Sequence, residues 1–227
     1  MRHDSERVPG KNRRLFAGAP LHHHIVRTLL GCPSVDEVVI DTDSDEIMRE
    51  CARVFPEVRL IKRPDSLRGG HVPMHDVLKH DVMQVEAEFY LQTHATNPLL
   101  TGATIERAIK DFLIARPDCD SLVSVTRLQS RLYDASGRPI NHDPRRLERT
   151  QDLAPVFEEN SNIYIFTRDT LFEHGVRIGR SPLFFEVNRI EAMDIDDEQD
   201  FRMAEALYLA READTERNEA LIREGAV

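Results

Sequence analysis

Residues 36–54 read DEVVIDTDSDEIMRECARV and contain a complete strand-to-helix unit. Residues 36–42 are rich in β-branched side chains, which predicts a short buried strand. The acidic run at 43–46 favours a helix start, because carboxylates are stabilised by the positive end of the helix dipole. Apolar side chains then recur at helical spacing at Ile47, Met48, Cys51 and Val54. The stretch therefore predicts one β-α unit.

The same alternation of strand and helix continues along the chain. Further strands are predicted at 58–61, 88–92, 121–125 and 162–166, and helices at 74–86, at 101–115 with Thr101 or Thr104 as the cap, and from about Glu198 onward. The mainly charged end of the last helix, after Ala213, is expected to fray or to pack only in an oligomer. Regular alternation predicts an α/β fold with a mostly parallel sheet and helices on both faces. In such folds ligands bind at the carboxyl ends of the strands.

The segment 126–160 interrupts this rhythm. It is polar, it has no long periodic element, and it contains Gly137, Pro139, Pro144 and Pro155. Because a structureless connection of this length is unusual inside a compact domain, the segment predicts an arm, a lid or a piece that packs on another subunit. We therefore expect residues 1–227 to form a single domain with 126–160 as an excursion.

The composition limits the classes of function. Hydrophobic residues make up 41% of the 227 residues and charged residues 31%, which is typical of a globular protein with a real core. No apolar run reaches the roughly 18 residues needed to cross a bilayer, which predicts a cytoplasmic protein without a membrane partner. The net charge of -10 argues against a general nucleic-acid binder. The cysteines show no metal spacing and are expected to be reduced and structural.

Residues 2–12 read RHDSERVPGKN and form the first candidate site. Small and turn-forming residues let backbone N–H groups face a ligand, and Arg2 and Lys11 add positive charge, which suits a triphosphate. The pair Gly10-Lys11 is not the G-x-x-x-x-G-K-[ST] nucleotide motif, because the earlier glycine is missing and Asn follows the lysine. Taken alone, the segment is equally compatible with a basic N-terminal tail.

Residues 193–201 read MDIDDEQDF and form the second candidate site. In a strand, Asp194 and Asp196 project to one side and Ile195 to the other. Two carboxylates on one side make a hard oxygen site for Mg²⁺, which bridges to nucleotide phosphates. From Asp197 onward the acidic residues suit a helix start, so the alternative is that all of these acids are only a cap and a solvated face.

Together these motifs resemble those of the acylneuraminate cytidylyltransferases, the enzymes that make CMP-sialic acids and their bacterial relatives. Residues 2–12 are similar to the family's opening A-R-x-x-S-K-R-x-P-G-K-N, and 193–201 to its closing I-D-I-D-T-x-x-D-F. Other segments resemble the family in the same order, namely 39–44, Lys62-Arg63-Pro64, Leu91-Gln92 with 96–99, Gln151-Asp152-Leu153, Glu159-Asn160 and Ile163-Tyr164. The ordered set covers nearly the whole chain.

The resemblance implies a three-layer, Rossmann-like nucleotidyltransferase fold and a reaction between CTP and an acidic, nonulosonic sugar. The anomeric hydroxyl of the sugar would attack the α-phosphorus in line, and pyrophosphate would leave. Arg2 and Lys11 would hold the triphosphate, and Asp194 and Asp196 would hold Mg²⁺. The other implied substrate-binding residues are Ser5 and Asn12 in the loop, Arg63 at the cytidine, Gln92 at the sugar, and Asn160. The excursion would be the arm of a homodimer.

Several positions depart from the family's pattern. The family's loop follows a hydrophobic central strand, for which there is no room before Arg2. Either the assigned start lies downstream of the true one, which we favour, or the sheet lacks its N-terminal central strand. Glu6 replaces a basic residue, and 69–74, 93–95 and 161–162 differ in loops on the base or sugar side. The alternatives are therefore a 3-deoxy-manno-octulosonate (KDO) cytidylyltransferase and a catalytically inactive sugar-nucleotide-binding homologue.

The run His22-His23-His24 is expected to be structural. Consecutive residues of a helix point around its axis, which argues against their convergence on one ion. His71 and His75 lie four residues apart, but Pro73 between them favours a loop or a helix start over a shared metal face.

Overall fold

A computed structural model of the chain describes residues 1–3, 5, 7–116 and 118–223. It is an α/β structure, which confirms the predicted fold class. The strands are β1 (Leu15–Phe16), β2 (Ala19–Pro20), β3 (Val39–Thr42), β4 (Arg59–Lys62), β5 (Tyr90–Gln92), β6 (Ser121–Leu128), β7 (Val156–Phe166) and β8 (Pro182–Glu186). The α-helices are α1 (Leu21–Leu30), α2 (Asp45–Val54), α3 (Met74–Val82), α4 (Gly102–Ala115), α5 (Arg168–His174) and α6 (Glu198–Arg223). Short 3₁₀ helices lie at Lys11–Arg13, Asp65–Leu67 and Thr150–Asp152.

The stretch 36–54 forms the predicted β-α unit. Its strand is β3, and α2 begins at Asp45, where the Ser44 side chain accepts a hydrogen bond from the backbone N of Ile47 at 3.3 Å. This cap satisfies an N–H group that the first turn of a helix leaves unpaired. Ile47 and Cys51 on the inner face of α2 are fully buried, and β4 returns parallel to β3.

The larger sheet has the strand order β5-β7-β6-β8. β8 runs parallel to β6, whereas β7 runs antiparallel to both of its neighbours, so this sheet is mixed instead of mostly parallel as predicted. Leu122 and Ile163 pack with α1, α2 and α4, whereas the next residues, Val123 and Tyr164, pack with α3 and α5. Because successive side chains of a strand point to opposite faces, helices cover both faces and the domain has three layers.

The sheet of β3 and β4 is not joined to the larger sheet. Within the described residues, no strand pairs with the second edge of β3 or with that of β5. A cavity of about 490 Å³ lies there, with Val38 and Ile40 in one wall and residues 92–96 in another. The backbone N of Met1 donates a hydrogen bond to the carbonyl O of Asp41, so the described chain enters this gap at the carboxyl end of β3. The gap lies between β3 and β5, where a central strand of the kind that the resemblance implies before Arg2 would pair with both free edges.

The irregular connection is shorter than the predicted excursion, 126–160. β6 continues to Leu128 and β7 begins at Val156, because these strands pair from Val125–Glu159 to Leu128–Val156. The connection between them, 129–155, contains turns and one bridge, and it exposes large apolar side chains at Tyr133, Ile140 and Leu147. The strand ends were missed because their polar, partly exposed residues lack a buried-strand pattern.

The last helix, α6, is helical to Arg223, and its residues 212–218 are exposed. Fraying of this end, or its packing in an oligomer, stays a prediction. Several elements had no prediction, namely the short strands β1 and β2, the helix α1, whose first turn contains the histidine run, α5, β8 and the 3₁₀ helices. None of the helices in the described part of the chain has the length and apolar content needed to span a bilayer.

A separate core cluster holds the N-terminal loop. Val8, Phe16 and Leu21 pack there with Ile195 and Phe201 from the other end of the chain. The rings of Phe16 and Phe201 meet edge to face, with 5.6 Å between their centroids. Burial of these side chains therefore fixes the loop beside the start of α6.

The cysteines are unpaired, as predicted. Cys32 and Cys51 are buried and Cys119 is half-buried, and all three are free thiols. Burial raises the pKa of Cys51 to about 11, so its thiol stays protonated and unreactive.

Filling the gap between β3 and β5 should stabilise the fold. We expect a chain extended before Met1 by five apolar, β-branched residues to melt at least about 6 °C higher. Two or three newly buried side chains contribute about 1.5–3 kcal/mol each, and 1 kcal/mol raises the melting temperature of a domain of this size by about 2–4 °C. Pairing of the free strand edges adds to the effect. Thermal melts followed by circular dichroism measure it, with a Gly/Ser extension of equal length as the control. Equal melting temperatures for the two extensions would contradict the prediction.

Candidate active site

The cavity beside β3 collects the predicted site residues. Its walls are the N-terminal loop, the carboxyl ends of β3 and β5, and the segment before α6. All the predicted residues except Asn160 lie in these walls: Arg2, Ser5, Lys11, Asn12, Arg63, Gln92, Asp194 and Asp196. The cavity thus lies where α/β folds bind their ligands, at the carboxyl ends of the strands.

Lys11 is the buried cation of the loop. Gly10, at a φ of 63° in the left-handed region, turns the chain into the 3₁₀ helix that begins at Lys11. The Lys11 side chain is buried, and its Nζ donates a hydrogen bond to the carbonyl O of Ile195. Burial lowers the pKa of Lys11, while the charges of Asp194 and Asp196 oppose this shift. A partly desolvated ammonium in the cavity wall favours the binding of an anion.

Arg2 and Arg7 add exposed cations beside Lys11. Both line the cavity, and the carbonyl O of Arg2 accepts a hydrogen bond from Asn12 Nδ2 at 3.0 Å. Arg7 Nη2 lies 2.6 Å from Asp196 Oδ1, in a pair whose side chains are both largely exposed. Exposed pairs of this kind are weak, so a ligand can replace the contact at little cost. Glu6, which departs from the family's pattern, lies outside the described residues.

Arg13 and Arg14 hold the loop from outside the cavity. Arg13 forms an ion pair with Glu46 of α2. Arg14 forms a bidentate ion pair with Glu198 of α6, in which Nη2 lies 2.8 Å from Oε1. The Arg14 guanidinium also lies 4.2 Å from the centroid of the Phe201 ring. The basic segment therefore divides into cations that fix the loop and cations that face the cavity.

Asp194 carries a buried oxygen without a partner. Its segment is not a strand, but the predicted alternation holds, since Ile195 is in the core while Asp194 and Asp196 line the cavity. Asp194 Oδ1 is buried and accepts no hydrogen bond. Burial raises the pKa of Asp194, with a hydrogen bond from Thr96 opposing the shift and the charge of Asp196 adding to it. An orphaned carboxylate oxygen beside a second carboxylate fits a hard divalent cation such as Mg²⁺.

Arg63 forms a buried ion pair with Asp41 in the cavity wall. Its guanidinium lies 2.5 Å from Asp41 Oδ1, and both side chains are buried. Asp81 faces the same pair, and burial, followed by the charge of Asp41, raises the pKa of Asp81 to about 8. Asp81 therefore keeps its proton at neutral pH, and the three groups together carry no net charge. The seating of cytidine by Arg63 stays a prediction.

Gln92 belongs to a polar network that the sequence did not reveal. Arg177 Nη1 donates a hydrogen bond to Gln92 Oε1 at 2.7 Å, and Gln92 Nε2 lies 3.4 Å from His94 Nε2. Because a guanidinium can only donate, the amide oxygen of Gln92 must face Arg177 and the NH₂ group must face His94. Burial, followed by the charge of Arg177, lowers the pKa of His94 to about 4, so its neutral ring can accept from that NH₂ group.

Arg177 is therefore a positioning residue for Gln92. Its guanidinium lies 3.4 Å from the centroid of the Tyr164 ring and 3.9 Å from Glu159 Oε1. It lies between α5 and β8, where a single arginine without periodic neighbours gives no signal in the sequence. Only the fold brings it to the end of β5.

Asn160 lines a second cavity of about 560 Å³, which shares Asp194 and Asp196 with the first. Its amide oxygen accepts from Ser124 Oγ at 2.6 Å, and its NH₂ group donates to Thr126 Oγ1 at 3.1 Å, so the side chain joins β7 to β6. A substrate-binding role for Asn160 stays a prediction. The next residue, Ser161, has a φ of 57°, which explains why the family that the sequence resembles has glycine there.

Comparison with known proteins defines the class. A family model described as cytidylyltransferase matches residues 1–223, and the chain belongs to this family. Among curated relatives, CMP-N,N'-diacetyllegionaminic acid synthase of Legionella pneumophila is 28% identical over 219 residues, which cover 89% of this chain and 91% of that protein. N-acylneuraminate cytidylyltransferase A of Danio rerio is 25% identical over 212 residues, 90% of this chain and 48% of that protein. The chain thus spans about half the length of the second relative.

Solved structures have the same fold. A CMP:2-keto-3-deoxy-manno-octonic acid synthetase in complex with CTP gives a TM-score of 0.67 at 17% identity, over 93% of this chain and 96% of that one. A 4-diphosphocytidyl-2C-methyl-D-erythritol synthase from Anaerococcus prevotii gives 0.64 at 10% identity, over 92% of this chain and 93% of that one. The nucleotidyltransferase architecture predicted from the sequence is thereby confirmed.

The raised pKa of Asp81 makes folding stability depend on pH. Its folded value of about 8 lies above the ordinary value of about 3.9, so between these limits the unfolded chain releases a proton that the folded chain keeps. This contribution to stability is present at acid pH and is lost as the pH rises towards 8. We expect Asp81→Asn, which mimics the protonated carboxyl, to lose less stability than the wild type between pH 5 and pH 9.

Melting temperatures across this pH range measure the effect. Asp76→Asn is the matched control, because Asp76 lies on the same helix and its side chain is 46% exposed. The control should follow the wild type, including the general loss that the net charge of -10 produces at high pH. A curve for Asp81→Asn parallel to the wild-type curve would show that Asp81 is not the titrating group.

Proposed function

We propose that the protein transfers the cytidylyl group of CTP to the anomeric hydroxyl of an acidic sugar of the sialic-acid type and releases pyrophosphate. One observation carries the proposal: a buried cation and an orphaned carboxylate oxygen meet in one cavity. Lys11 contacts Ile195, a residue 184 positions away, and Ile195 lies between Asp194 and Asp196. This is the charge arrangement that a metal-bound nucleoside triphosphate needs.

The chain's own residues act by positioning and by neutralising charge. Lys11 and Arg2 hold the triphosphate, and the loop residues Ser5 and Asn12 hold the backbone around it. Asp194 and Asp196 hold Mg²⁺, which when bound supplies charge neutralisation at the phosphates. Gln92, fixed by Arg177, presents an amide to the sugar. Orientation for in-line attack on the α-phosphorus supplies most of the catalysis in such a step.

The relatives that match most of the chain support the proposed acceptor. Pseudaminic acid cytidylyltransferase of Campylobacter jejuni is 23% identical over 215 residues, and the legionaminic acid enzyme matches 219 residues. A 3-deoxy-manno-octulosonate cytidylyltransferase of Chlorobium phaeobacteroides matches 182 residues, 74% of this chain. The greater coverage favours a nonulosonic acid over the octulosonate, which is the second candidate acceptor.

We also propose that the protein works as a homodimer through the connection 129–155. Leu147 is 92% exposed, and Tyr133 and Ile140 are more than half exposed on the same connection. Apolar side chains grouped on a projecting segment favour a protein interface. A second copy of the chain would cover them.

Replacement of Asp194 should separate catalysis from folding. In an assay of pyrophosphate release with CTP, Mg²⁺ and a panel of nonulosonic acids and KDO, we expect Asp194→Asn to lower kcat at least about 100-fold. Because burial raises the pKa of Asp194, the neutral amide should leave the melting temperature unchanged or higher.

Asp36→Asn, at an exposed position before β3, is the control and should keep wild-type activity. Unchanged turnover in Asp194→Asn would remove the metal site. Absence of pyrophosphate release by the wild type with every acceptor would favour the inactive sugar-nucleotide-binding homologue.

Charge placed on the connection 129–155 should separate the subunits. We expect the double variant Ile140→Asp, Leu147→Asp to elute as a monomer where the wild type elutes as a dimer, because a carboxylate in an apolar interface loses its hydration. Size-exclusion chromatography with light scattering gives the mass. Ile114→Asp, at a 71% exposed position of α4, is the control and should remain dimeric. A monomeric wild type would contradict the proposal.

A further inference from the structure

Two of the three consecutive histidines converge, contrary to the expectation from helix geometry. His22 and His23 occupy the first turn of α1, and their rings meet edge to face with 4.6 Å between centroids. Glu50 of α2 faces them, and its Oε1 lies 3.1 Å from His23 Nε2. Although the two Cα–Cβ bonds diverge, each ring is long enough to turn towards the groove between the helices.

His22 presents a buried nitrogen that has no hydrogen-bond partner. His22 Nδ1 lies 2.8 Å from the carbonyl O of Asn12. Since a carbonyl can only accept, Nδ1 carries the proton and Nε2 carries a lone pair. His22 is completely buried, and its Nε2 makes no hydrogen bond, whereas Nε2 of His23, which is 5% exposed, lies against the Glu50 carboxylate without hydrogen-bond geometry.

His24, in the same helix, is a buried histidine whose ring nitrogen has a hydrogen-bond partner. It is as buried as His23, but its Nε2 lies 2.8 Å from the carbonyl O of Phe16, to which it donates. The unpaired Nε2 of His22 is therefore not a general property of the histidines of this helix. Buried polar atoms without partners are rare in folded proteins and indicate a missing ligand.

The three side chains have the spacing of ligands around one ion. One ligand atom from each of His22, His23 and Glu50 lies within 4.8 Å of the other two. Two atoms bound to Zn²⁺ at about 2.1 Å in tetrahedral geometry are roughly 3.4 Å apart, so small side-chain adjustments suffice. The carbonyl of Asn12, which accepts from the second nitrogen of His22, is the kind of outer partner that orients metal-binding histidines.

The donor set suits metal binding. Because Nδ1 of His22 donates to the carbonyl O of Asn12, the lone pair of Nε2 remains for a ligand. The Glu50 carboxylate, whose Oε1 lies 3.1 Å from His23 Nε2, supplies negative charge.

We propose that His22, His23 and Glu50 bind a divalent transition-metal ion of the Zn²⁺ class, with the remaining position open to water. Two imidazoles and a carboxylate favour such an ion over Mg²⁺, which prefers oxygen ligands. Glu50 is 27% exposed and provides the route of entry. The ring of Phe55, 4.9 Å from that of His23, closes the apolar side of the site. This inference does not depend on the proposed function.

The site lies directly behind the N-terminal loop. Asn12, whose carbonyl O accepts from His22, follows Lys11, whose ammonium faces the cavity. An ion bound to His22 fixes the position of that ring and thereby the backbone of the loop. The metal therefore has a structural role, distinct from that of a cation held by Asp194 and Asp196.

Titration of the 227-residue protein with Zn²⁺ alone tests the proposal. After treatment with a chelator, calorimetry of the wild type should give one tight equivalent, and Co²⁺ in its place should give visible absorption typical of a four-coordinate site. We expect Glu50→Gln and His23→Gln each to weaken Zn²⁺ binding at least about 100-fold. Glu50→Gln changes a partly exposed residue with little change of shape, so it decides the outcome if His23→Gln does not fold.

Two matched variants separate this site from other metal binding. His24→Gln changes a buried histidine of the same run, and Asp194→Asn changes the oxygen site; both should keep the tight equivalent of Zn²⁺. No tight binding by the wild type, or binding that Glu50→Gln leaves within twofold of wild type, overturns the proposal. Loss of the tight equivalent in Asp194→Asn alone would place the ion at the oxygen site and would overturn it equally.

Discussion

The burial of Ile195 against the N-terminal loop is the contact on which the candidate site depends. Ile195 packs with Val8 in a core cluster, and its carbonyl O accepts the hydrogen bond from Lys11. Because its two neighbours point the opposite way, the same burial directs Asp194 and Asp196 into the cavity. One apolar side chain thus sets the position of the cation and of both carboxylates, although the loop and the carboxylates are at opposite ends of the sequence.

This contact also explains how the site is assembled although the sheet is divided. The loop is held by the cluster around Phe16 and by the pair between Arg14 and Glu198, and neither belongs to a strand ladder of the larger sheet. The apolar gap between β3 and β5 lies beneath the polar part of the same cavity. The gap therefore affects the stability of the domain more directly than the arrangement of charges, since unpaired strand edges and unfilled apolar space both destabilise a fold.

Local patterns were enough to predict most of the β-α units, and the family resemblance supplied several members of the cavity, such as Arg63 and Gln92. Residues 36–54 were recognisable because a β-branched run, a cap and a helical period follow one another within one segment. Three contacts could not be predicted, because each joins side chains from different elements. They are the ion pair of Arg63 with Asp41, the hydrogen bond of Arg177 to Gln92, and the convergence of His22 with Glu50. Periodicity describes which face of an element is buried, but it does not say what lies opposite that face.

The electrostatics of the cavity wall distinguish charges that are satisfied from charges that are not. Arg63, Asp41 and the protonated Asp81 neutralise one another, and the histidines at 22, 23 and 94 are neutral. Lys11 and Asp194 differ, because burial shifts the pKa of each towards its uncharged form and neither has a full counter-ion. Such desolvated groups lose stability in the free protein and regain it when a ligand of opposite charge arrives. The fold thus concentrates its unsatisfied charge at the two positions where a triphosphate and its cation would bind.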